Sequence, residues 1–145
     1  MKIKLLYLSA LLSTLAVGCS KTQVVKPPSI GALAGTYTGQ FISIHTNTPK
    51  NDTVKANIEL ALNPSFSFLV VGDTSTVHAG SHGSFAVNSG TIIQFYDVTF
   101  PGSGTPAKIH LSGQYNYTFD NIYLDMTGAN SAGTTTYTYT LTKIN

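Results

Sequence analysis

The chain contains no arginine and no tryptophan, and only one of its 145 residues is a cysteine. All eight basic residues are therefore lysines. Nucleic-acid-binding proteins normally present a basic patch in which arginine makes bidentate contacts. Two of the lysines, Lys2 and Lys4, lie in a predicted cleaved segment, so six remain to balance the six carboxylates. This balance excludes nucleic acid as a partner and argues against electrostatic capture of anionic lipid by the folded part.

The sequence also lacks catalytic motifs. It has no G-x-S-x-G, no H-E-x-x-H and no glycine-rich loop before a helix. Of the carboxylates, only Asp97 has inward parity, and we expect it to lie in water or to accept from a neighbouring backbone amide. His78 and His82 lie in a glycine-containing stretch typical of a solvated loop, and a metal site would need His45 or His110 as a third ligand. The sequence therefore predicts a protein that is not an enzyme and holds neither a cofactor nor a metal.

The N-terminal segment has the three parts of an export signal. A lysine-containing n-region precedes an apolar stretch over 5–15, and small residues precede Cys19. The apolar stretch is too short to span a bilayer, which needs roughly 20 apolar residues. The segment Leu15-Ala16-Val17-Gly18-Cys19 resembles the lipobox of bacterial lipoproteins, and alanine where leucine is commonest resembles the lipobox of Bacteroidota. The resemblance implies that Cys19 carries a thioether-linked diacylglycerol and an N-acyl chain.

Acylation accounts for the single cysteine, because a free thiol is a liability in an oxidising compartment. Several acyl chains hold a protein on a membrane durably, since each buried CH₂ contributes roughly 0.8 kcal/mol. We therefore predict a signal peptide over 1–18, a lipidated tether over 19–34 and a lipid-anchored protein at the periplasmic or cell-surface face of the outer membrane. An ordinary secretory signal, cut at another small residue, is the alternative.

Residues 35–145 alternate between apolar and polar side chains, which is typical of half-buried β-strands. Val54, Ala56 and Ile58 share one face, for example, and Lys55 and Asn57 share the other. Clusters of glycine, proline, asparagine and serine separate such runs. The pattern predicts eight strands, near 36–44, 54–62, 65–71, 83–87, 91–99, 108–118, 121–127 and 134–143.

Eight short antiparallel strands joined by hairpins can close into an up-and-down barrel, which removes exposed sheet edges. Gly39 and Gly113 have inward parity beside aromatic residues, where glycine permits tight coiling and leaves space for a ring. A two-sheet sandwich is the alternative. A barrel that spans the membrane is disfavoured, because spanning strands need roughly 9 to 11 residues and several predicted strands are shorter.

Four stretches of the chain resemble, in their order, the lipocalin-like (calycin-type) lipoproteins of Bacteroidota. They are LAGTYTG at 33–39, GSHGSF at 80–85, LSGQYNYTFD at 111–120 and YTYTL at 137–141. The resemblance covers essentially the whole mature domain and implies an all-β, lipocalin-like barrel over 35–145. It implies no site residues, because these motifs are structural. The chain departs from true lipocalins in having Tyr37 where they have tryptophan and no C-terminal helix.

Inward parity places many aromatic side chains in the predicted lumen. The candidate ligand-binding residues are Tyr37, Phe66, Phe68, Phe85, Phe95, Tyr115, Tyr117, Tyr137 and Tyr139. An eight-stranded barrel is just wide enough to be filled by side chains or to hold one small ligand. Any surviving cavity is expected at one mouth, apolar and with tyrosine hydroxyls that orient the guest. Two functions stay open: binding of a small apolar or amphipathic ligand, and a cell-envelope structural or protein-interaction subunit with a filled barrel.

Overall fold

The computed structural model describes residues 26–46, 52–72, 77–103 and 106–145. Within these ranges, a short helix, α1 (Ile30–Leu33), precedes eight strands that form one closed antiparallel barrel in chain order. The strands are β1 (Gly35–His45), β2 (Asp52–Leu62), β3 (Ser67–Gly72), β4 (His82–Val87), β5 (Ile92–Asp97), β6 (Gly113–Phe119), β7 (Tyr123–Ala129) and β8 (Thr135–Lys143). The barrel closes where β1 pairs with β8, from Tyr37 opposite Lys143 to His45 opposite Thr135. The predicted up-and-down barrel is confirmed, and the sandwich is not formed.

The largest difference from the predicted strands lies at 108–112, which precedes β6 and does not belong to it. These residues pair instead with the connection between β3 and β4. His78 and Ile109 form an isolated parallel bridge. The Ala79 amide donates to the Ile109 carbonyl at 2.8 Å, and the Ile109 amide donates to the Val77 carbonyl at 3.0 Å. The alternation of apolar and polar residues therefore continues into a segment that packs across one end of the barrel.

The interior of the barrel is filled by side chains. Edge-to-face ring contacts run from Phe68 to Phe95 at 5.1 Å between centroids, from Phe95 to Tyr115 at 5.9 Å and from Tyr115 to Tyr139 at 5.6 Å. Each such ring removes roughly 150 to 250 Å² from water. Leucine, isoleucine and methionine side chains fill the space between the rings. The apolar core thus occupies the lumen in which a ligand could have bound.

A short N-terminal turn closes one end of the barrel. The Ser29 hydroxyl accepts from the Ala32 amide at 3.3 Å and so caps α1. Leu33 is fully buried in the core, and the Tyr37 hydroxyl donates to its carbonyl at 2.5 Å. The Lys143 ammonium donates to the Ala32 carbonyl at 2.7 Å. Residues 30–33, which the sequence assigns to the tether, are therefore part of the folded domain.

Close backbone approach explains the positions of two glycines. A Cβ at Gly39 would lie 2.1 Å from the Thr140 carbonyl oxygen, so β1 and β8 could not approach this closely with any side chain there. Glycine at position 39 therefore permits this close approach of the two strands. The space for a ring lies at Gly128, where a Cβ would meet the Tyr115 ring at 2.7 Å, and nothing lies within 4 Å of a Cβ at Gly113.

The two ends of the barrel are built differently. At one end, the closed end, lie α1, the C-terminus and the turns β2–β3, β4–β5 and β6–β7. At the other end, the mouth, lie the β1–β2, β3–β4, β5–β6 and β7–β8 connections. The chain therefore enters and leaves the barrel at the closed end. Within the described ranges, no helix is long and apolar enough to cross a membrane. The predicted signal peptide, Cys19 and the start of the tether lie outside the described residues.

Candidate functional site

An open cleft of about 840 Å³ lies at the mouth, above the filled core. This volume is within the range of small-molecule sites, roughly 300 to 1,000 Å³. Its apolar side chains are Val54, Val77, Phe100, Pro106, Ala107, Ile109 and Ala129. Its polar side chains are His45, Lys108, His110, Ser112, Asn130, Ser131, Thr135 and Tyr137. Among the described residues that line the cleft, none is acidic.

Of the nine predicted lumen residues, Tyr137 alone is among the described residues that line this cleft. Seven others are buried in the core and fill the barrel: Tyr37, Phe68, Phe85, Phe95, Tyr115, Tyr117 and Tyr139. Phe66 is not in the lumen at all. It is 45% exposed in the β2–β3 turn at the closed end. Its φ of 61° and the bond from its amide to the Asn63 carbonyl at 3.0 Å show that the chain turns at this residue before β3 begins.

The floor of the mouth holds a buried histidine. His78 is fully buried, so the expectation of a solvated loop residue is wrong. Its Nδ1 donates to the Ala79 carbonyl at 2.7 Å, which leaves Nε2 to accept from the Tyr139 hydroxyl at 2.9 Å. The Tyr139 ring in turn packs edge-on against Tyr115, with centroids 5.6 Å apart. Burial lowers the pKa of His78 to about 4, so the imidazole is neutral at pH 7.

A buried carboxylate orients a second histidine at the wall of the cleft. The Asp97 side chain is fully buried, and its Oδ2 accepts from His110 Nδ1 at 2.8 Å. Its Oδ1 accepts from the amide and hydroxyl of Thr99 at 2.8 and 2.5 Å. Burial alone would raise the pKa of Asp97, but hydrogen bonds from Thr99, His110 and Ser81 outweigh it and hold the pKa below its ordinary value. Asp97 is therefore ionised, and it does accept from a neighbouring amide as the sequence predicted.

This pairing fixes how His110 can meet a ligand. Because Nδ1 donates to Asp97, which lies behind the cleft wall, Nε2 is on the edge of the ring turned away from the carboxylate. The ring also packs edge-on against Phe100, with centroids 5.4 Å apart. In the part of the chain that the structure describes, no hydroxyl is hydrogen-bonded to Nε2. The geometry therefore presents Nε2 as an oriented hydrogen-bonding group.

A second polar cluster lies where β1 and β8 reach the mouth. The Thr135 hydroxyl is 3.0 Å from His45 Nδ1. Asn130 holds the start of β8, because its Oδ1 accepts from the Thr134 and Thr135 amides at 2.9 and 3.2 Å. Below them, Ser43 is fully buried and its hydroxyl has no hydrogen-bond partner.

Only weak signals for these residues are present in the sequence. The inward parity of Asp97 was visible, but its partner His110 lies thirteen residues further along the chain, between β5 and β6. Ser43 is the inward polar residue that follows Tyr37, Gly39 and Phe41 in β1, and its parity could have singled it out. No group of three or more histidine, cysteine or acidic side chains in the described ranges is arranged to hold a metal ion.

Comparison of the chain with protein-family models, with curated proteins and with solved structures gives no match. The function is therefore argued from the residues of the cleft.

Proposed function

We propose that the protein is a lipid-anchored, lipocalin-like and non-enzymatic binding protein that holds a small amphipathic molecule in the mouth cleft. The observation that carries this proposal is the cleft itself, which lies over a filled core and combines apolar walls with oriented polar groups. Sites of this composition commonly bind small molecules, because the apolar walls supply affinity and a few polar groups fix orientation.

The position of the cleft suits a tethered protein. The chain enters the barrel at the closed end, opposite the mouth. Six residues separate Cys19 from Lys26, the first described residue, and the seven steps between the two span at most roughly 25 Å when extended. With Cys19 acylated, the closed end would stay near the bilayer and the mouth would open away from it. A ligand could then reach the cleft without passing between the barrel and the membrane.

The anchor is tested by metabolic labelling of the full chain with radioactive palmitate in a bacterial host that processes lipoproteins. We expect label in the wild type and none in Cys19→Ser, because the thiol is the acceptor of the diacylglycerol. Ser20→Ala is the matched control and should keep the label. Equal labelling of wild type and Cys19→Ser would reject the anchor.

Ligand binding is tested by native mass spectrometry of residues 20–145, which contain the whole barrel, after incubation with an extract of envelope small molecules. We expect an additional non-covalent mass on the wild type. Ala107→Trp should remove it, because Ala107 is exposed and lines the cleft, where an indole would occupy the space. Thr118→Trp, exposed on the outer face of β6, is the control and should keep it. A wild-type mass without any adduct would reject binding.

A specific surface favours the second candidate, a protein-interaction subunit of the cell envelope. Tyr96 and Val98 are 55% and 72% exposed, and Leu69 lies beside them on the outer face. His82 lies between Leu69 and Val98. It pairs with Leu69, and its carbonyl accepts from the Val98 amide at 3.0 Å. If the cleft stays empty, a photo-crosslinking residue in place of Tyr96 should form protein adducts in the native envelope, and one in place of Thr118 should not.

A further inference from the structure

The tyrosine hydroxyls inside the barrel differ in whether they have a hydrogen-bond partner. The Tyr37 hydroxyl donates to the Leu33 carbonyl at 2.5 Å, and the Tyr117 hydroxyl donates to the Ser89 carbonyl at 3.4 Å. The Tyr139 hydroxyl donates to His78 Nε2 at 2.9 Å. The Tyr137 hydroxyl, by contrast, bonds to no group in the described part of the chain.

Ser43 has the same property and lies beside Tyr137. The two residues are directly opposite in the pairing of β1 with β8. On its other side, Ser43 is opposite Val54 in β2, and His45 is the next inward residue along β1. Three of the neighbours of Ser43 (Tyr137, Val54 and His45) line the cleft. The unpaired Ser43 hydroxyl therefore lies immediately under the cleft floor, on the inward face of the barrel.

A buried hydroxyl without a partner destabilises a protein, so each one calls for an explanation. Of the buried side-chain nitrogen and oxygen atoms in the described ranges, the Ser43 hydroxyl oxygen is the one without a partner. An alanine at position 43 would avoid the destabilisation that burial of an unpaired hydroxyl causes. A ligand group from outside the chain would supply the acceptor that the Ser43 and Tyr137 hydroxyls lack.

Tyr137 can admit such a group. Its side chain is half-buried, and its ring lies against Phe41 with centroids 6.2 Å apart. No hydrogen bond within the described ranges holds its hydroxyl, so a ligand that moves the Tyr137 side chain beside Ser43 breaks no hydrogen bond. Burial raises the pKa of Tyr137, so its hydroxyl keeps the proton that it would donate.

We propose that the Ser43 and Tyr137 hydroxyls form a subsite for the carboxylate of a compact amphipathic ligand whose apolar body lies on Val77, Phe100 and Ile109. This inference rests on the proposed function and names the ligand class. A carboxylate accepts hydrogen bonds and donates none, which matches two hydroxyl donors that have no acceptor.

The charge and shape of the cleft restrict the ligand further. The described lining contains Lys108, His45 and His110 but no acidic side chain, so nothing in it repels an anion. The ligand must also be compact, because the filled core leaves no depth for an extended chain. A fused-ring carboxylic acid meets both conditions.

The probe for the test is 2-naphthoate, with 2-naphthylmethanol as its uncharged match, titrated into residues 20–145 by calorimetry. We expect the wild type to bind the carboxylate more tightly than the alcohol. Ser43→Ala and Tyr137→Phe should each weaken 2-naphthoate about tenfold, the value of one hydrogen bond to a charged group. Both variants should bind the alcohol within about twofold of the wild type. Tyr117→Phe, which removes a paired hydroxyl at the closed end, is the control and should bind both probes like the wild type.

Stability separates this role from a structural one. Ser43→Ala should melt no lower than the wild type, because it removes an unpaired polar group. A lower melting temperature of Ser43→Ala with unchanged 2-naphthoate binding would assign the hydroxyl to the fold and overturn the subsite. Equal binding of 2-naphthoate by wild type and both variants would overturn it as well, and so would a wild type that binds no 2-naphthoate. None of these results bears on whether native mass spectrometry detects an adduct that Ala107→Trp removes. The proposed function is therefore accepted or rejected separately from the subsite.

Discussion

The closed end and the mouth of the barrel are built from the same strands but differ in how completely their hydroxyl groups are hydrogen-bonded. At the closed end, short turns and α1 bury Leu33 and give the Tyr37 and Tyr117 hydroxyls partners. At the mouth, longer connections bury a carboxylate and a histidine, and the Ser43 and Tyr137 hydroxyls find no partner among the described residues. The comparison indicates that the closed end contributes more to stability than the mouth, and the proposed binding role would account for the difference.

The largest expected effect is on the closed end. Leu33→Ala should lower the free energy of unfolding by about 2 to 5 kcal/mol, because it leaves a cavity where a fully buried leucine was. Urea denaturation at pH 7 measures the change. Ile144→Ala, at a position that is 56% exposed, is the control and should change it by less than about 0.5 kcal/mol. An equal, small effect of both variants would show that α1 is not part of the core.

The second prediction concerns pH and the buried histidine of the mouth. The pKa of His78 is about 4 in the folded protein and about 6.5 when unfolded. Between these values the unfolded state binds a proton that the folded state does not. Stability should therefore fall as the pH is lowered from about 6.5 to 4, by about 3 kcal/mol in total from this group.

Denaturation curves at pH 7, 5.5 and 4 measure this loss. His78→Gln has no titrating group and should lack this part of the pH dependence, although it will be less stable at pH 7. His82→Gln, at an exposed position four residues away, should keep the pH dependence of the wild type. If the curves of His78→Gln and wild type run parallel across this range, His78 is not buried in its neutral form.

A third and smaller effect is expected at the cleft wall. Asp97→Asn should destabilise the protein by about 1 to 3 kcal/mol at pH 7, because the carboxylate accepts from His110, Thr99 and Ser81. The pKa of Asp97 is lowered, so its contribution is full above the unfolded value of about 3.9 and is lost as the pH falls through the folded value. The difference between the two proteins should therefore shrink below pH 4. A constant difference would mean that ionisation of Asp97 is not responsible.

The fold was predictable because it depends on a local signal. Period-two alternation identifies each strand from its own residues, and eight short strands suffice to close a barrel. The prediction failed where contacts distant in sequence decide the conformation. Residues 108–112 alternate like a strand, yet Ile109 pairs with His78. Phenylalanine is common in strands, but Phe66 adopts a left-handed backbone conformation in a turn.

The candidate site was predictable only in outline, for the same reason. The sequence predicts a cavity at one mouth, apolar and with several tyrosine hydroxyls; the cleft does lie at one mouth, but its described lining includes one tyrosine, Tyr137, and mixes polar with apolar side chains. The buried pair of Asp97 and His110 depends on the path of the β5–β6 connection, which local alternation does not determine. The burial of His78 depends on that connection too, because its pairing with Ile109 carries the imidazole into the barrel.

The smallest predicted effect tests the comparison of the two ends most directly, because it removes the same atom from each. Tyr37→Phe should cost about 1 kcal/mol, since it leaves the Leu33 carbonyl without the donor that it has in the wild type. Tyr137→Phe should cost close to nothing, because no described group bonds to its hydroxyl. Both changes remove one oxygen and keep the ring, so packing differences largely cancel between the two variants. Urea denaturation of both variants at pH 7 measures the difference. Equal costs at the two ends would mean that the mouth hydroxyl has a partner in the unliganded protein and is not held ready for a ligand.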